Sequence, residues 1–371
     1  FGLSQFEMDT LLICLASSVD LRYERIYGYL QDDVTKKQPT VALILDLLAE
    51  PGIGRLAKLA LFAPDAPLFR HRLLELKAPA EAETAPLLAQ ILHIDGSILT
   101  WLLGSYRPHT DLVDHIVLER EPAQAIGPTA ATTTIGGFGD SELIDRLVSQ
   151  TPAPLYLFHG PDREAQRTAA RLVAASSKKP LLIVDLAAVS ERGQVSIQRA
   201  IQLTLRDARL TQAIPMLVGW DSCLIDGTTP PILLRELDEC RGIVIVAGQA
   251  SWLPRGERTK PALTVEFPVP AFEQRSRLWA HFVGQADPAP GYDPIDLDAL
   301  AGQFVLTTSQ IRDAAATARD YALRRASPLS AQDLFAAARA HSNPRLSALA
   351  RKISPNYAWD DIIVPDDQRA L

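Results

Sequence analysis

The sequence is poor in cysteine. Its 371 residues include only three cysteines, Cys14, Cys223 and Cys240, which are far apart and form neither a CxxC pair nor the Cys/His spacing of a zinc site. The pattern therefore excludes a disulfide scaffold and a zinc finger. It favours a reducing compartment, which we expect to be the cytoplasm.

Long apolar runs and a surplus of positive charge are missing as well. No apolar run approaches the roughly 20 residues that a membrane helix needs, and no signal peptide is visible, so we expect no membrane contact. The chain has 37 Lys and Arg against 44 Asp and Glu, a formal charge of −7, which argues against a general phosphate-binding surface. The GxSxG pattern of serine hydrolases is also absent.

What is present is the composition of a folded protein. Hydrophobic residues make up 47% of the chain and charged residues 22%, which is typical of globular domains. The chain is longer than one hydrophobic core usually serves, so we expect two or three domains. It begins with Phe1 rather than Met, and we therefore expect a fragment of a larger protein.

Residues 1–118 are predicted to form a mostly helical N-terminal domain. Ser4 with Glu7 has the spacing of a capping box, and Thr40 precedes the apolar helix pattern VALILDLLAE. A short strand is expected within residues 70–76 and a pair of helices within residues 86–104. These elements fit either a winged-helix variant or an irregular helical bundle.

A Pro-, Ala- and Thr-rich stretch at residues 119–135 is predicted to be a linker. Residues 136–268 are predicted to form an α/β core, with a helix at 141–150 followed by alternating strands and helices. The apolar runs PLYLFHG, PLLIVDL, PMLVGWDS and GIVIVAGQ are continuous rather than alternating. Such runs between helices indicate a buried parallel sheet with helices on both faces.

Residues 269–345 are predicted to form a helical lid. Its helices are expected at 271–283, 296–301, 308–326 and 330–341. Residues 346–371 resemble neither part, and we expect them to be a linker and the beginning of another domain.

The first strand of the core runs into Gly160 and then into a helix, which is where a phosphate-binding P-loop would lie. That loop needs the pattern GxxxxGK[ST], in which the lysine reaches the phosphates and the hydroxyl binds magnesium. Gly160 and Pro161 fit the pattern. Ala165 replaces the second glycine, Gln166 replaces the lysine, and Arg167 replaces the hydroxyl residue.

Shifting the pattern by one residue does not restore it. Arg167 and Thr168 would then imitate Lys-Thr, but Pro161 and Gln166 would fall on the glycine positions. Glu164 would also bring a negative charge toward the phosphates. These residues represent either a vestigial nucleotide site or an inherited turn that now only packs.

Two further positions differ from the residues that a nucleotide-hydrolysing site needs. Asp221, after the run Met216–Val218, has the position of a magnesium ligand, but Ser222 follows it where a water-orienting Glu is needed. Gln249 ends the next strand, where a polar sensor of the γ-phosphate is expected. Asp221 fits equally an N-cap or turn carboxylate. We predict that this chain hydrolyses no ATP, has no catalytic residue and binds no metal.

The strand order, the GP turn at Gly160 and the helical tail together resemble an AAA+ ATPase module over residues 136–345. FVLTTSQIRDAAATARDYA is similar to the family's second-sensor helix, with Arg312 in the sensor position, or on a solvated helix face. Residues 353–368, with the sequence ISPNYAWDDIIVPDDQ, resemble the beginning of a classical AAA module. The N-terminal segment is similar to a winged-helix variant in AAA ATPases, some of them associated with contractile injection systems.

The resemblance implies the N-terminal regulatory and scaffold region of a larger AAA+ ATPase. ATP and Mg²⁺ would act in the full-length protein, in a second module beyond Leu371, and drive protein remodelling, whereas we expect neither in this fragment. We expect the N-terminal domain to bind a protein partner, and the full-length protein to self-associate as a hexamer. Two alternatives stay open: a DNA-associated, initiator-like protein, and a pure interaction scaffold. Residues 1–118 hold ten basic and 15 acidic residues, so nucleic acid is not the expected partner.

Overall fold

The computed structural model describes residues 1–79, 85–122, 149–254, 259–284 and 296–342. The chain divides into two compact units, one from Phe1 to Pro268 and one from Val269 onward. The helix expected at 141–150 lies outside the described residues up to 148, as does the whole segment 346–371. Among the described residues, no helix is both long and apolar enough to cross a membrane.

The N-terminal part is a set of short helices with one small hairpin. The helices are α1 (Gln5–Val19), α2 (Arg22–Leu30), α3 (Val41–Leu48), α4 (Ile53–Leu59), α5 (Pro67–Arg70) and α6 (Gly96–Leu102). Ser4 and Glu7 form the expected capping box, and the Thr40 hydroxyl caps α3. The strands β1 (Leu74–Lys77) and β2 (Ile91–Ile94) pair antiparallel. This is a winged-helix arrangement rather than an irregular bundle.

The prediction of a helix pair at residues 86–104 is wrong in its first half. Residues Ile91–Ile94 form β2, because Leu92 and Ile94 alternate with half-buried neighbours and pack into the buried core of the winged-helix part. The first half otherwise contains a short 3-10 helix at Leu87–Ala89, and the second half forms the α-helix α6, which Asp95 caps. A short, mainly apolar segment does not distinguish a helix from a strand until its pairing partner is known.

The α/β core contains a six-stranded sheet. Its strands are β3 (Ile116–Glu119), β4 (Leu155–His159), β5 (Leu181–Asp185), β6 (Ile214–Val218), β7 (Val244–Gly248) and β8 (Ala262–Glu266). They lie in the order β3-β5-β6-β7-β4-β8. All neighbours pair parallel except β3, which pairs antiparallel with β5. The parallel α/β sheet predicted from the apolar runs is confirmed.

Helices cover both faces of the sheet. They are α7 (Arg163–Ser176), α8 (Leu186–Arg192), α9 (Ile197–Thr211) and α10 (Pro231–Glu239). One buried cluster includes Leu157, Leu203 and Val246, and a second, on the opposite side chains of the strands, includes Tyr156, Ala170 and Ile245. Alternate residues of one strand thus face opposite layers. The short helix α8 and the edge strand β8 were not predicted.

The first strand of the sheet crosses the boundary that was predicted between the N-terminal domain and the linker. β3 spans Ile116–Glu119, so residue 118, the expected end of the domain, lies within the edge strand. Glu119 accepts hydrogen bonds from Arg171 of α7 at 2.8 and 2.9 Å. Residues 123–135 of the predicted linker lie outside the described residues.

The second unit is helical. It contains α11 (Phe272–Val283), α12 (Leu297–Gln303), α13 (Thr308–Arg324) and α14 (Ala331–Ser342). Thr307 and Gln310 form a capping box at the start of α13. Buried Arg275 donates to the carbonyl oxygens of Ala301 and Pro270 and thereby ties the end of α12 to α11. The four helices predicted for this region are present.

Buried Arg206 joins the winged-helix part to the core. This α9 residue is 2% exposed, and its guanidinium donates to Asp95 at 2.6 Å, to Asp207 at 2.8 Å and to the Ser97 hydroxyl at 2.7 Å. Tyr106 donates to the other oxygen of Asp207 at 2.7 Å. Each buried charge is therefore paired, as a low-dielectric interior requires.

We predict that Arg206→Ala lowers the free energy of unfolding by about 3–5 kcal/mol, because it leaves the carboxylates of Asp95 and Asp207 buried without their cation. Urea denaturation measures the change. Arg192→Ala is the control, since its ion pair with Asp114 is 54% and 61% exposed and contributes less than about 1 kcal/mol. Equal losses in the two variants would contradict this role of Arg206.

His71 lies against α9 and should make stability depend on pH. Burial, with the nearby charges of Arg209 and Arg70, lowers the pKa of His71 to about 4. His71 therefore stays neutral in the folded state at pH values below about 6.5, where it binds a proton in the unfolded state. The stabilising contribution is complete above pH 6.5 and is lost as the pH falls toward 4.

We predict that wild-type protein loses about 1 kcal/mol more stability between pH 7 and pH 5 than His71→Gln does, after allowing for the partial exposure of His71. Urea denaturation of both proteins at the two pH values gives the comparison. Parallel stability curves would show that His71 does not titrate in this range.

Candidate functional site

The candidate site lies at the carboxyl edge of the parallel sheet. β4 has β7 on one side and β8 on the other, so the chain changes direction across the sheet at β4. Ligands of open α/β sheets bind at such a switch point, outside the carboxyl ends of the strands. His159 of β4 is paired with Gly248 of β7 there, and Gly160 follows directly.

Gly160 is required at the end of β4. Its φ is +123°, a region that favours glycine, and an added Cβ would lie 2.2 Å from the carbonyl oxygen of Phe267. The turn therefore packs against the backbone that follows β8. Pro161, the next residue, is exposed, and the Gly-Pro pair directs the chain into α7.

Asp162 caps α7. Its carboxylate accepts a hydrogen bond from the Ala165 amide at 3.2 Å, and the residue is 1% exposed. The N-terminus of a helix is the place where a phosphate is usually bound, because free N–H groups and the helix dipole meet there. Here a carboxylate of the chain itself takes that position.

Gln166, at the P-loop lysine position, is an internal link between two strands. It is 1% exposed, and its Nε2 donates to the carbonyl oxygens of Gly160 and Gly248, both at 3.0 Å. Its two N–H groups therefore join the ends of β4 and β7. Arg167 is half-buried and Thr168 is buried on the same helix.

Asp221 makes a second link between strand ends. It lies in a short 3-10 turn after β6, and its carboxylate accepts from the amides of Gln249 and Ala250, both at 2.8 Å. The Ser222 hydroxyl donates to the Gly219 carbonyl at 2.9 Å. These contacts are those of a turn carboxylate rather than of a helix N-cap. Gln249 contributes its backbone amide to this link, and the residue is exposed.

Arg312 belongs to the second unit, on α13. Its Nε donates to Asp313 at 3.0 Å, and both side chains are about half exposed. The other predicted site residues, from Gly160 to Thr168 together with Asp221 and Gln249, lie in the first unit. Within the described residues, no group of three His, Cys, Asp or Glu side chains is arranged to hold a metal ion.

At the positions where a nucleotide site needs a lysine and free amides, the assembled site has side chains that bind the chain's own backbone. The amide of Gln166 and the carboxylates of Asp162 and Asp221 each bind backbone groups of the chain. The two carboxylates repel a phosphate, and the position of the phosphate-binding lysine is neutral. Sequence reasoning missed the role of Asp162, although an Asp directly before a helix is a common N-cap signal.

Comparisons with known families match both ends of the chain. Residues 1–116 match the model described as "Winged helix domain, variant", and residues 271–344 match "Contractile injection system ATPase helical domain". The winged-helix interpretation of the N-terminal part and the resemblance of the helical tail to an ATPase helical domain are thereby confirmed for the matched residues.

Two solved structures are similar to parts of the chain. One, titled "Crystal structure of FIGL-1 AAA domain in complex with ADP", has 14% identity and a TM-score of 0.46 over 64% of this chain and 91% of that chain. The other, titled "Structural Basis for Katanin Self-Assembly", has 16% identity and a TM-score of 0.41 over 59% and 90%. Because both TM-scores are below 0.5, neither structure adds to what the family models show. No curated protein matches the chain.

We predict that Gln166→Ala lowers the free energy of unfolding by about 2 kcal/mol, because two buried carbonyl oxygens lose their donor. Urea denaturation tests this. The control is Arg163→Ala on the exposed start of the same helix, which should change stability by less than about 0.5 kcal/mol. A near-neutral Gln166→Ala would mean that this side chain does not hold the strand ends together.

Proposed function

We propose that this chain is the N-terminal regulatory and scaffold region of a larger AAA+ ATPase. Its α/β core is a degenerate AAA module that supports assembly without hydrolysing ATP. Hydrolysis and protein remodelling belong to a second module, whose beginning is residues 353–368. The winged-helix part recruits the protein partner or substrate. The full-length protein is proposed to be cytoplasmic and hexameric, with ATP and Mg²⁺ in the second module.

The contacts of Gln166 carry this proposal. In a working P-loop, a lysine extends toward the nucleotide, and the loop amides stay available for phosphate. Here the corresponding side chain turns inward and joins β4 to β7, while Asp162 occupies one amide of the helix terminus. Groups that would bind a nucleotide are therefore used to stabilise the sheet edge.

The surface of the winged-helix part supports its role in partner binding. Of the 26 exposed large hydrophobic side chains in the described residues, 13 lie within the first 56 residues. On α2, Tyr23, Ile26 and Leu30 are 41–48% exposed, and Tyr29 is 85% exposed. Concentrations of exposed apolar side chains mark interaction surfaces, and tyrosine is enriched in them.

The decisive measurement is ATP turnover by this chain alone, followed as phosphate release in the presence of Mg²⁺. We expect none above background, because the lysine, the hydroxyl and the water-orienting Glu are all replaced. The triple variant Ala165→Gly, Gln166→Lys, Arg167→Thr should remain inactive, since Ser222 still follows Asp221.

A matched control is the longer protein that continues beyond Leu371, which should hydrolyse ATP. Turnover by the present chain would contradict the degenerate module. If the longer protein showed no turnover, the proposal that a second module hydrolyses ATP would be contradicted. The proposal that this chain itself does not hydrolyse ATP would be unaffected.

A further inference from the structure

A cavity separates the hairpin of the winged-helix part from the first turn of α9. Its volume is about 730 Å³, within the range of small-molecule sites, which often lie between domains. We name it the hairpin cavity. Its wall includes Glu75, Lys77 and His93 from the hairpin, Arg107 and Asp111 from the segment before β3, and Arg199 from α9.

The polar face of the hairpin lines the hairpin cavity. Leu74, Leu92 and Ile94 pack into the core of the winged-helix part. Glu75 and His93 are directly paired across the hairpin, and Lys77 lies two residues beyond Glu75. Since alternate residues of a strand face opposite sides, these three side chains share the face away from that core.

The acidic groups of the cavity wall are already neutralised. Arg199 contacts Glu75 at 2.7 Å and Asp111 at 3.3 Å. Asp95 contacts buried Arg206 at 2.6 Å. His109 lies 3.4 Å from both Asp95 and Asp111. These contacts leave the carboxylates little capacity to attract a further cation.

Two basic groups of the wall have no such compensation. Within the part of the chain that the structure describes, no carboxylate forms an ion pair with Lys77 or Arg107. Burial, and next the charge of Lys77, lower the pKa of the half-buried His93. The second of these causes places the positive charge of Lys77 close to the His93 ring, where it would attract an anion.

We propose that the hairpin cavity binds a small anion with phosphate or carboxylate groups, held by Lys77 and Arg107 and hydrogen-bonded by His93. The site differs from the eroded nucleotide position, since none of its residues belongs to the carboxyl edge of the sheet. A bound anion would contact the hairpin and the segment before β3, next to Arg199 at the start of α9, which also lines the cavity. It would therefore strengthen the attachment of the winged-helix part to the core.

Calorimetric titration at low salt tests the proposal with two probes, inorganic pyrophosphate and citrate, which separate phosphate from carboxylate recognition. We expect at least one probe to bind with a Kd below about 1 mM. The double variant Lys77→Gln, Arg107→Gln should weaken it at least about tenfold, because two charge-assisted contacts are lost. Both side chains are exposed, so the variant should fold.

The matched control is Arg235→Gln, which removes an exposed positive charge on α10. It should leave the affinity within about twofold of wild type, because exposed charges at a distance are screened. Failure of both probes to bind at about 10 mM, or equal affinities of wild type and the double variant, would overturn the proposal. These outcomes are independent of ATP turnover.

Discussion

Backbone groups at the carboxyl edge of a parallel sheet must find hydrogen-bond partners, and this constraint organises the core. The strands end with amides and carbonyls that no neighbouring strand satisfies. Gln166 supplies two N–H groups to β4 and β7, and Asp221 supplies its carboxylate to the segment after β7. Asp185 does the same at the end of β5, where it caps α8 through the amides of Ala187 and Ala188.

In the degenerate module that we propose, side chains of the chain itself make hydrogen bonds in the place where a nucleotide would bind. In a nucleotide-binding module, bound phosphate satisfies loop amides and offsets the positive charge of the lysine. Once the lysine is replaced by a neutral amide, the same position can bind carbonyl oxygens instead. Gln166 makes such contacts with two carbonyl oxygens, and Asp162, which is 1% exposed, caps the neighbouring helix terminus.

The fold was predictable where the sequence pattern is long and regular. The apolar runs of β4 to β7 and the helices α11 to α14 were found because each is bounded by turn residues and has one dominant periodicity. Strands without a continuous apolar run were harder to predict: β2, which His93 interrupts, was expected to be helical, and β8, with mostly half-exposed residues, was missed. Pairing with a distant strand, rather than local preference, makes these segments extended.

The site residues were predicted by position, but their contacts were not. The spacing after β4 placed Gln166 and Asp221 at the right edge of the sheet, because strand and helix boundaries follow from the sequence. Whether Gln166 points outward or inward depends on the carbonyl of Gly248, 82 residues further along the chain. The burial of Arg206 likewise depends on Asp95, 111 residues before it. Such partners emerge only from the tertiary structure.

The antiparallel strand β3 has a consequence for the boundary of the core. Its residues follow directly on the winged-helix part, yet they complete the sheet by covering the hydrogen-bonding edge of β5. A truncated chain that starts after Glu119 would leave that edge open, and an open edge invites pairing with another chain. It would also remove the carboxylate that Arg171 binds. The α/β core is therefore self-contained only when Ile116–Glu119 is kept with it.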